Sequence, residues 1–247
     1  MKKTKSIMGM PVTVEIAESA PSRTIAKVFD YFRQIDQKYS PYKKTSELSR
    51  INDGLPESQW TAEMKTVLLL CEETKRQTNG YFDINRNGQL DPSGLVKGWA
   101  INNAAGLLRE LGFKDFYIEA GGDIQANGHN AEHQPWVVGI RNPFNIQEII
   151  KVIKITNKGV ATSGSYIRGE HVYNPHDQSQ KTSFVKSLTV VGPDIYEADR
   201  YATAAFAMGP EGIKFIEALS GFEAYMVDDR QIATYTTGFE AYVVKTN

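Results

Sequence analysis

Apolar residues recur at Ile25, Val28, Phe29, Phe32 and Ile35, the i, i+3, i+4, i+7 spacing of one helical face, with Ser22 as the expected cap. A second helix is predicted from the cap Thr61 through Met64, Val67, Leu68 and Cys71 to a stop at Asn79-Gly80. A third runs from about Leu95 to Leu111, closed by Gly112, and starts in the turn-forming Asp91-Pro92-Ser93-Gly94. Further on, one helix is expected from Glu197 to Met208 and another beginning at Pro210 and ending by Gly221. Between and after them lie alternating or β-branched runs: Val12 to Ile16, Phe116 to Ile118, Trp136 to Ile140, Ile149 to Ile155, Ser187 to Val191, Ala224 to Val227 and Ile232 to Thr236. Strands and helices are interleaved without a regular βαβ rhythm. The pattern therefore predicts an α+β fold with a mixed, mostly antiparallel sheet flanked by helices. No repeat, linker or low-complexity segment interrupts it, so one domain over residues 1–247 is the simplest account.

Composition narrows the function classes. Of 247 residues 41% are apolar, enough for a sizeable core. Lys plus Arg total 28 against 29 for Asp plus Glu, so no global field draws the chain to nucleic acid or an anionic membrane, and any phosphate recognition must be local. The single cysteine, Cys71, lies in an apolar run and reads as a small buried residue, with no partner for an internal disulfide. Met1 to Lys5 is basic, yet no apolar stretch of a signal peptide follows and no run reaches the length of a membrane span. A cytoplasmic location is the expectation.

Chemistry concentrates in four places. On the helix beginning near Glu197, Asp199 and Thr203 stand four residues apart, so a carboxylate and a hydroxyl lie on one face. With a neighbouring carbonyl they make a hard-oxygen site suited to Mg²⁺. On spacing alone, a polar stripe on an exposed helix is the commoner meaning of such a pair. Two glycine-bearing turns, Asp91 to Gly98 before a helix and Glu119 to Asp123 after a strand, would let backbone amides approach a pyrophosphate. Neither matches a P-loop or a dinucleotide fingerprint, and isolated turns of this kind are more often plain turns. A further loop, Ala161-Thr162-Ser163-Gly164, offers hydroxyls, with His171 close behind as a group that exchanges protons near neutral pH. His129, His133 and His176 read as solvated surface residues.

Taken together and in order, these residues resemble the ApbE family of FAD:protein FMN transferases. Met8-Gly9-Met10 is similar to its Met-Gly-Thr segment, and Ser40-Pro41-Tyr42 with Ser46 to Asn52 to its Ser-x-Tyr and Ser-Glu-Leu-Ser-x-x-Asn stretch. Gly80-Tyr81-Phe82-Asp83, the Asp91 to Gly98 loop, Gly121 to Ile124, Ala161 to Gly164, His171 and Glu197-Ala198-Asp199 with Thr203 continue the series from about Met8 to Gly238. The resemblance implies a T-fold-related domain that moves FMN from FAD to a threonine of an acceptor flavoprotein. It implies Mg²⁺ on Asp199, Thr203 and the Val96 carbonyl, and Tyr42 stacked on adenine. Lys97, Gly122, Asp123, Thr162 and Ser163 would line the FAD site, with His171 near the reacting phosphate. Three departures stand out: a shorter Asp83 to Asp91 stretch, Asn174 where an aspartate usually precedes Pro175, and Ser165 after Thr-Ser-Gly. The rival readings are FAD hydrolysis at the same site and FAD binding without chemistry.

Overall fold

The computed structural model describes residues 1–164, 173–176 and 184–245. The chain opens with a hairpin, β1 (Lys2–Ile7) and β2 (Met10–Ile16), then packs helix α1 (Ser22–Tyr39) by its stripe of Ile25, Val28, Phe29, Phe32 and Ile35, all buried. Burying each of these side chains stabilises the fold by roughly 1.5–3 kcal/mol. A short α2 (Glu47–Asn52) leads to α3 (Ala62–Gln77), whose first turn is capped by Thr61 Oγ1 accepting from the Met64 N–H at 3.2 Å. A small hairpin, β3 (Asn85–Arg86) and β4 (Gln89–Leu90), precedes α4 (Ser93–Glu110). There follow β5 (Phe116–Ala120), β6 (Asp123–Asn127), the hairpin β7 (Trp136–Asn142) and β8 (Asn145–Ile155), β9 (Lys158–Gly164) and β10 (Val185–Gly192). Helices α5 (Ile195–Ala207) and α6 (Gly212–Glu217) and strands β11 (Glu223–Asp228) and β12 (Ala233–Tyr235) complete the described chain, with a 3₁₀ turn at Phe239–Tyr242.

Eight strands form one sheet in the order β1-β2-β5-β6-β9-β10-β11-β12, and every neighbouring pair is antiparallel. The fold is thus α+β, without the parallel pairing that a mixed sheet would carry. The sheet separates two cores. On one face Val12, Val14, Phe116, Ile118, Ala161 and Leu188 pack with α1, α4 and α5. On the other, Ile124, Ala126, Val160 and Val191 pack with Trp136, Ile153 and Phe239, beneath the β7–β8 hairpin and the last 3₁₀ turn. Because successive residues of a strand face opposite sides, β6 and β9 send Asp123, Gln125 and Ser163 to the helix face and Ile124, Val160 and Thr162 to the hairpin face.

Several details differ from the sequence expectation. Ser22 is the first helical residue rather than the cap, since Pro21 holds the cap position and makes no side-chain bond. Beyond Met208 the residues Gly209–Glu211 form a 3₁₀ turn, so α6 starts at Gly212 rather than at Pro210; it ends at Glu217, before Gly221 as expected. Strand β1 has no apolar alternation because five of its six residues are exposed, while β6 and β9 are covered on both faces and so read as neither period. Cys71 is buried as expected, and burial pushes its thiol up to about 12. No helix among the described residues is long and apolar enough to cross a membrane.

Candidate functional site

Helix α5 begins where Asp194 accepts a hydrogen bond from the Glu197 N–H at 2.9 Å, and where Gln125 Oε1 of β6 accepts from the Ile195 N–H at 2.9 Å. These two bonds fix the rotation of the helix. Asp199 and Thr203 consequently face the start of α4. Asp199 Oδ2 accepts from the Gly98 N–H at 2.7 Å, and Thr203 Oγ1 donates to the Gly94 carbonyl at 3.3 Å. The two helices meet closely only because Gly94 and Gly98 carry no side chain. A Cβ on Gly98 would lie 2.5 Å from Asp199 Cβ and 2.7 Å from the Ile195 carbonyl; one on Gly94 would lie 3.0 Å from Thr203 Cγ2. On its far side α5 is held to α3 by buried Arg200, which donates to Glu197, Gln77, Thr74 and Tyr201.

The β5–β6 turn supplies the second half of the site. Gly121 and Gly122 have φ of +60° and +97°, the two left-handed residues that a tight hairpin needs, and they place Asp123 at the head of β6. Asp123 Oδ1 accepts from the Thr162 N–H at 3.1 Å. Its buried Oδ2 lies 2.6 Å from Lys97 Nζ in an ion pair. Lys97 Nζ also stands 3.8 Å from Asp199 Oδ1. Burial pushes the Asp199 carboxyl well above the usual carboxylate range; Lys97 and the Gly98 N–H pull it down, while Asp123 adds to the rise. Two carboxyl groups share one ammonium here, so ionising both leaves a negative charge that a bound cation would relieve.

Two clefts meet at this point, sharing Ser93 and Lys97 as walls. The first encloses about 1030 Å³ counted out to its open mouth, and Asp199, Thr203, Ser163 and Gly121 line it. Its outer wall is Tyr81-Phe82-Asp83 after α3, together with Tyr173, whose hydroxyl donates to the Asn85 carbonyl at 2.8 Å and whose ring lies 5.2 Å beneath Arg86. Asn52 fastens the small hairpin to α2 by two bonds to Leu90, of 2.9 and 2.8 Å. The second cleft lies between the β1–β2 turn, the end of α1 and the start of α4, with Met8, Tyr39, Pro41, Tyr42 and Val96 among its walls. Tyr42 is 93% exposed there.

The structure thus brings together Asp199, Thr203, Lys97, Asp123 and Ser163, with Val96 on the other side of the α4 first turn. Gly121 lines the first cleft, whereas its neighbour Gly122 is exposed at the turn. Thr162 lends its backbone to the cleft, but its hydroxyl is 2.8 Å from Thr189 Oγ1. His171 and Ser165 lie outside the described residues. His129 and His133 are exposed, as expected. His176, also exposed, is more engaged than its turn suggested: its ring meets Tyr81 edge-on at 4.5 Å and its Nε2 is 2.8 Å from the Asn79 carbonyl. Arg86 and Tyr173 escaped the sequence reading because nothing local in the chain links residues so far apart.

Among the described residues no three His, Cys, Asp or Glu side chains cluster for a metal. Two carboxylates, one hydroxyl and adjacent anion-binding space are nevertheless the donor set for Mg²⁺, which keeps water and phosphate oxygens as further ligands.

Comparison with known proteins agrees with the geometry. The ApbE family profile matches residues 8–88 and 85–226, two segments that meet in the β3–β4 hairpin. The FAD:protein FMN transferase of Escherichia coli K12 is 30% identical over 78% of this chain and 73% of its own length; that of Vibrio cholerae is 28% identical over 90% and 83%. The chain spans only 42% of the Klebsiella pneumoniae transferase, at 29% identity over 56% of this chain. The structures of the V. cholerae flavin transferase ApbE and the Thermotoga maritima ApbE protein superpose with TM-scores of 0.85 and 0.86 at 20% identity, covering 98% and 99% of each chain. With the profile spread over most of the sequence and the fold shared end to end, the chain belongs to the ApbE family.

Proposed function

We propose that this protein transfers FMN from FAD to a threonine hydroxyl of an acceptor flavoprotein, releasing AMP, with Mg²⁺ at the site. The observation that carries the reading is the convergence of Asp199 and Thr203 on the first two turns of α4, beside Lys97 and Asp123, where two clefts join. A dinucleotide needs that layout: room for two ring systems and a charged centre between them. Asp199, Thr203 and the Val96 carbonyl would hold the ion, whose chemistry is to neutralise charge on the pyrophosphate and the leaving group.

Around that centre the residues divide the remaining work. Lys97 pairs with phosphate oxygens, aided by the positive end of α4. Tyr42 stacks on adenine in the second cleft, and the flavin half lies in the first, against the aromatic wall of Tyr81 and Tyr173. The acceptor oxygen attacks the FMN phosphorus; the new O–P bond forms as the bond to the AMP oxygen breaks, and the hydroxyl proton passes to His171. Mass spectrometry of a co-expressed acceptor should find one added FMN on threonine, and Asp199→Ala should yield none. AMP release measured with and without acceptor separates transfer from hydrolysis. Equal release in both would overturn the transferase reading.

A further inference from the structure

The second cleft holds one charged pair that the proposed transfer chemistry does not use. Asp36, near the end of α1, lies 2.6 Å from Lys43 through its Oδ2, and both line the cleft beside Tyr42. The pair bridges the Ser40-Pro41-Tyr42 corner, so it ties the loop that carries the exposed tyrosine back to α1. Their side chains are 20% and 35% exposed, and an ion pair that open to water contributes little to stability. The other walls there include Met8, Met10, Tyr39, Pro41 and Val96. A largely apolar slot, with Ser40, Ser93 and Lys97 as its remaining polar walls and an acceptor and a donor side by side, suits a flat heterocycle that presents the complementary couple on one edge.

Adenine is such a ring: its exocyclic amino group donates, and the neighbouring ring nitrogen accepts. We infer that Asp36 and Lys43 read this edge, so that the enzyme selects adenine over purines carrying a carbonyl at the same carbon. The inference rests on the flavin-transferase reading for the presence of an adenine nucleotide. Asp36 accepts from the amino N–H, and Lys43 donates to the ring nitrogen. Hypoxanthine puts an oxygen where the amino group stood and a hydrogen on the neighbouring ring nitrogen, which sets acceptor against acceptor at Asp36 and donor against donor at Lys43. Tyr42 stacks on either ring alike and supplies affinity without this choice.

The test uses AMP and IMP, which differ only along that edge, titrated calorimetrically into the whole protein in Mg²⁺ buffer. AMP should bind at least about tenfold more tightly than IMP, a modest value for a partly exposed polar contact. In Asp36→Asn the amide offers both a donor and an acceptor, and the preference should shrink to within about threefold. Because both ligands meet the same folded population, the ratio is insensitive to any loss of stability in the variant. The same selectivity should appear in kcat/KM for FAD against its hypoxanthine analogue. Equal binding of AMP and IMP by the wild type, an unchanged ratio in Asp36→Asn, or no binding of either nucleotide would each overturn the assignment. A failure of the transferase reading shows elsewhere, as the absence of FAD consumption, which the binding ratio does not require.

Discussion

The two faces of the eight-stranded sheet are built from the same strands but tolerate different chemistry. The hairpin face receives Ile124, Ala126 and Val160 and closes with Trp136, Ile153 and Phe239 in an apolar layer. The helix face receives Asp123, Gln125 and Ser163 from the same two strands, at 1%, 1% and 7% exposure. Buried polar groups of this kind are costly unless partnered. They are tolerated here because the first turns of two helices lie against them: Gln125 accepts from the first N–H of α5, and Asp123 meets Lys97 of α4. A sheet centre becomes a site where it is covered by helix ends, and remains a core where it is covered by strands.

Substitutions on the two sides should separate accordingly. Asp199→Ala should lower FMN transfer by about 10³-fold or more, the loss expected when a metal-holding carboxylate is removed, with the fold retained by circular dichroism. Ile153→Ala, on the hairpin face, should cost about 3 kcal/mol in urea unfolding and leave kcat/KM per folded molecule unchanged. Gly98→Ala joins both effects: α5 must move away from α4, at a cost of about 2 kcal/mol, and transfer should fall with it. An outcome in which Ile153→Ala impairs transfer of the folded enzyme would erase the distinction between the faces.

A pH experiment probes the helix face alone. The Asp199 carboxyl is raised in the folded protein from 3.8 to about 8, chiefly by burial. A raised carboxyl favours the folded state below its unfolded value, and that favour is lost as pH climbs toward the folded one. In metal-free buffer, therefore, wild-type Tm should decline relative to Asp199→Asn between about pH 4 and pH 8. Parallel Tm curves would contradict the burial cost. The smallest contrast is between neighbours: Ser163→Ala should raise KM for FAD about threefold by loss of a single hydroxyl contact, and Thr162→Val should leave it unchanged.

How much of this could be read from the sequence depended on how locally each feature was determined. The α1 stripe, the Thr61 cap and the Asn79-Gly80 stop, where φ is +51° and +82°, sit within a few residues and were legible. The Asp199 and Thr203 pair was legible for the same reason, as one turn of helix. Ser22 misled because its side chain is the right type one position too late, and β6 and β9 vanished because burial on both faces removes alternation. The Lys97 to Asp123 contact joins a helix to a strand across a fold that had to be known first. Thr162 and Ser163, adjacent in a motif, part company only once β9 pairs with β10 and sends one hydroxyl to Thr189.

Strand β1 has one further consequence. It forms an outer rim of the sheet and pairs with β2 alone, while β12 at the opposite rim is three residues long. Open rims invite a neighbouring molecule to add its own strand, the first step toward aggregates. Lys2, Lys3 and Lys5 stand exposed on β1, so two molecules meeting rim to rim would bring six ammonium groups together. The same lysines that hid this strand from pattern reading weigh against the pairing of two such rims.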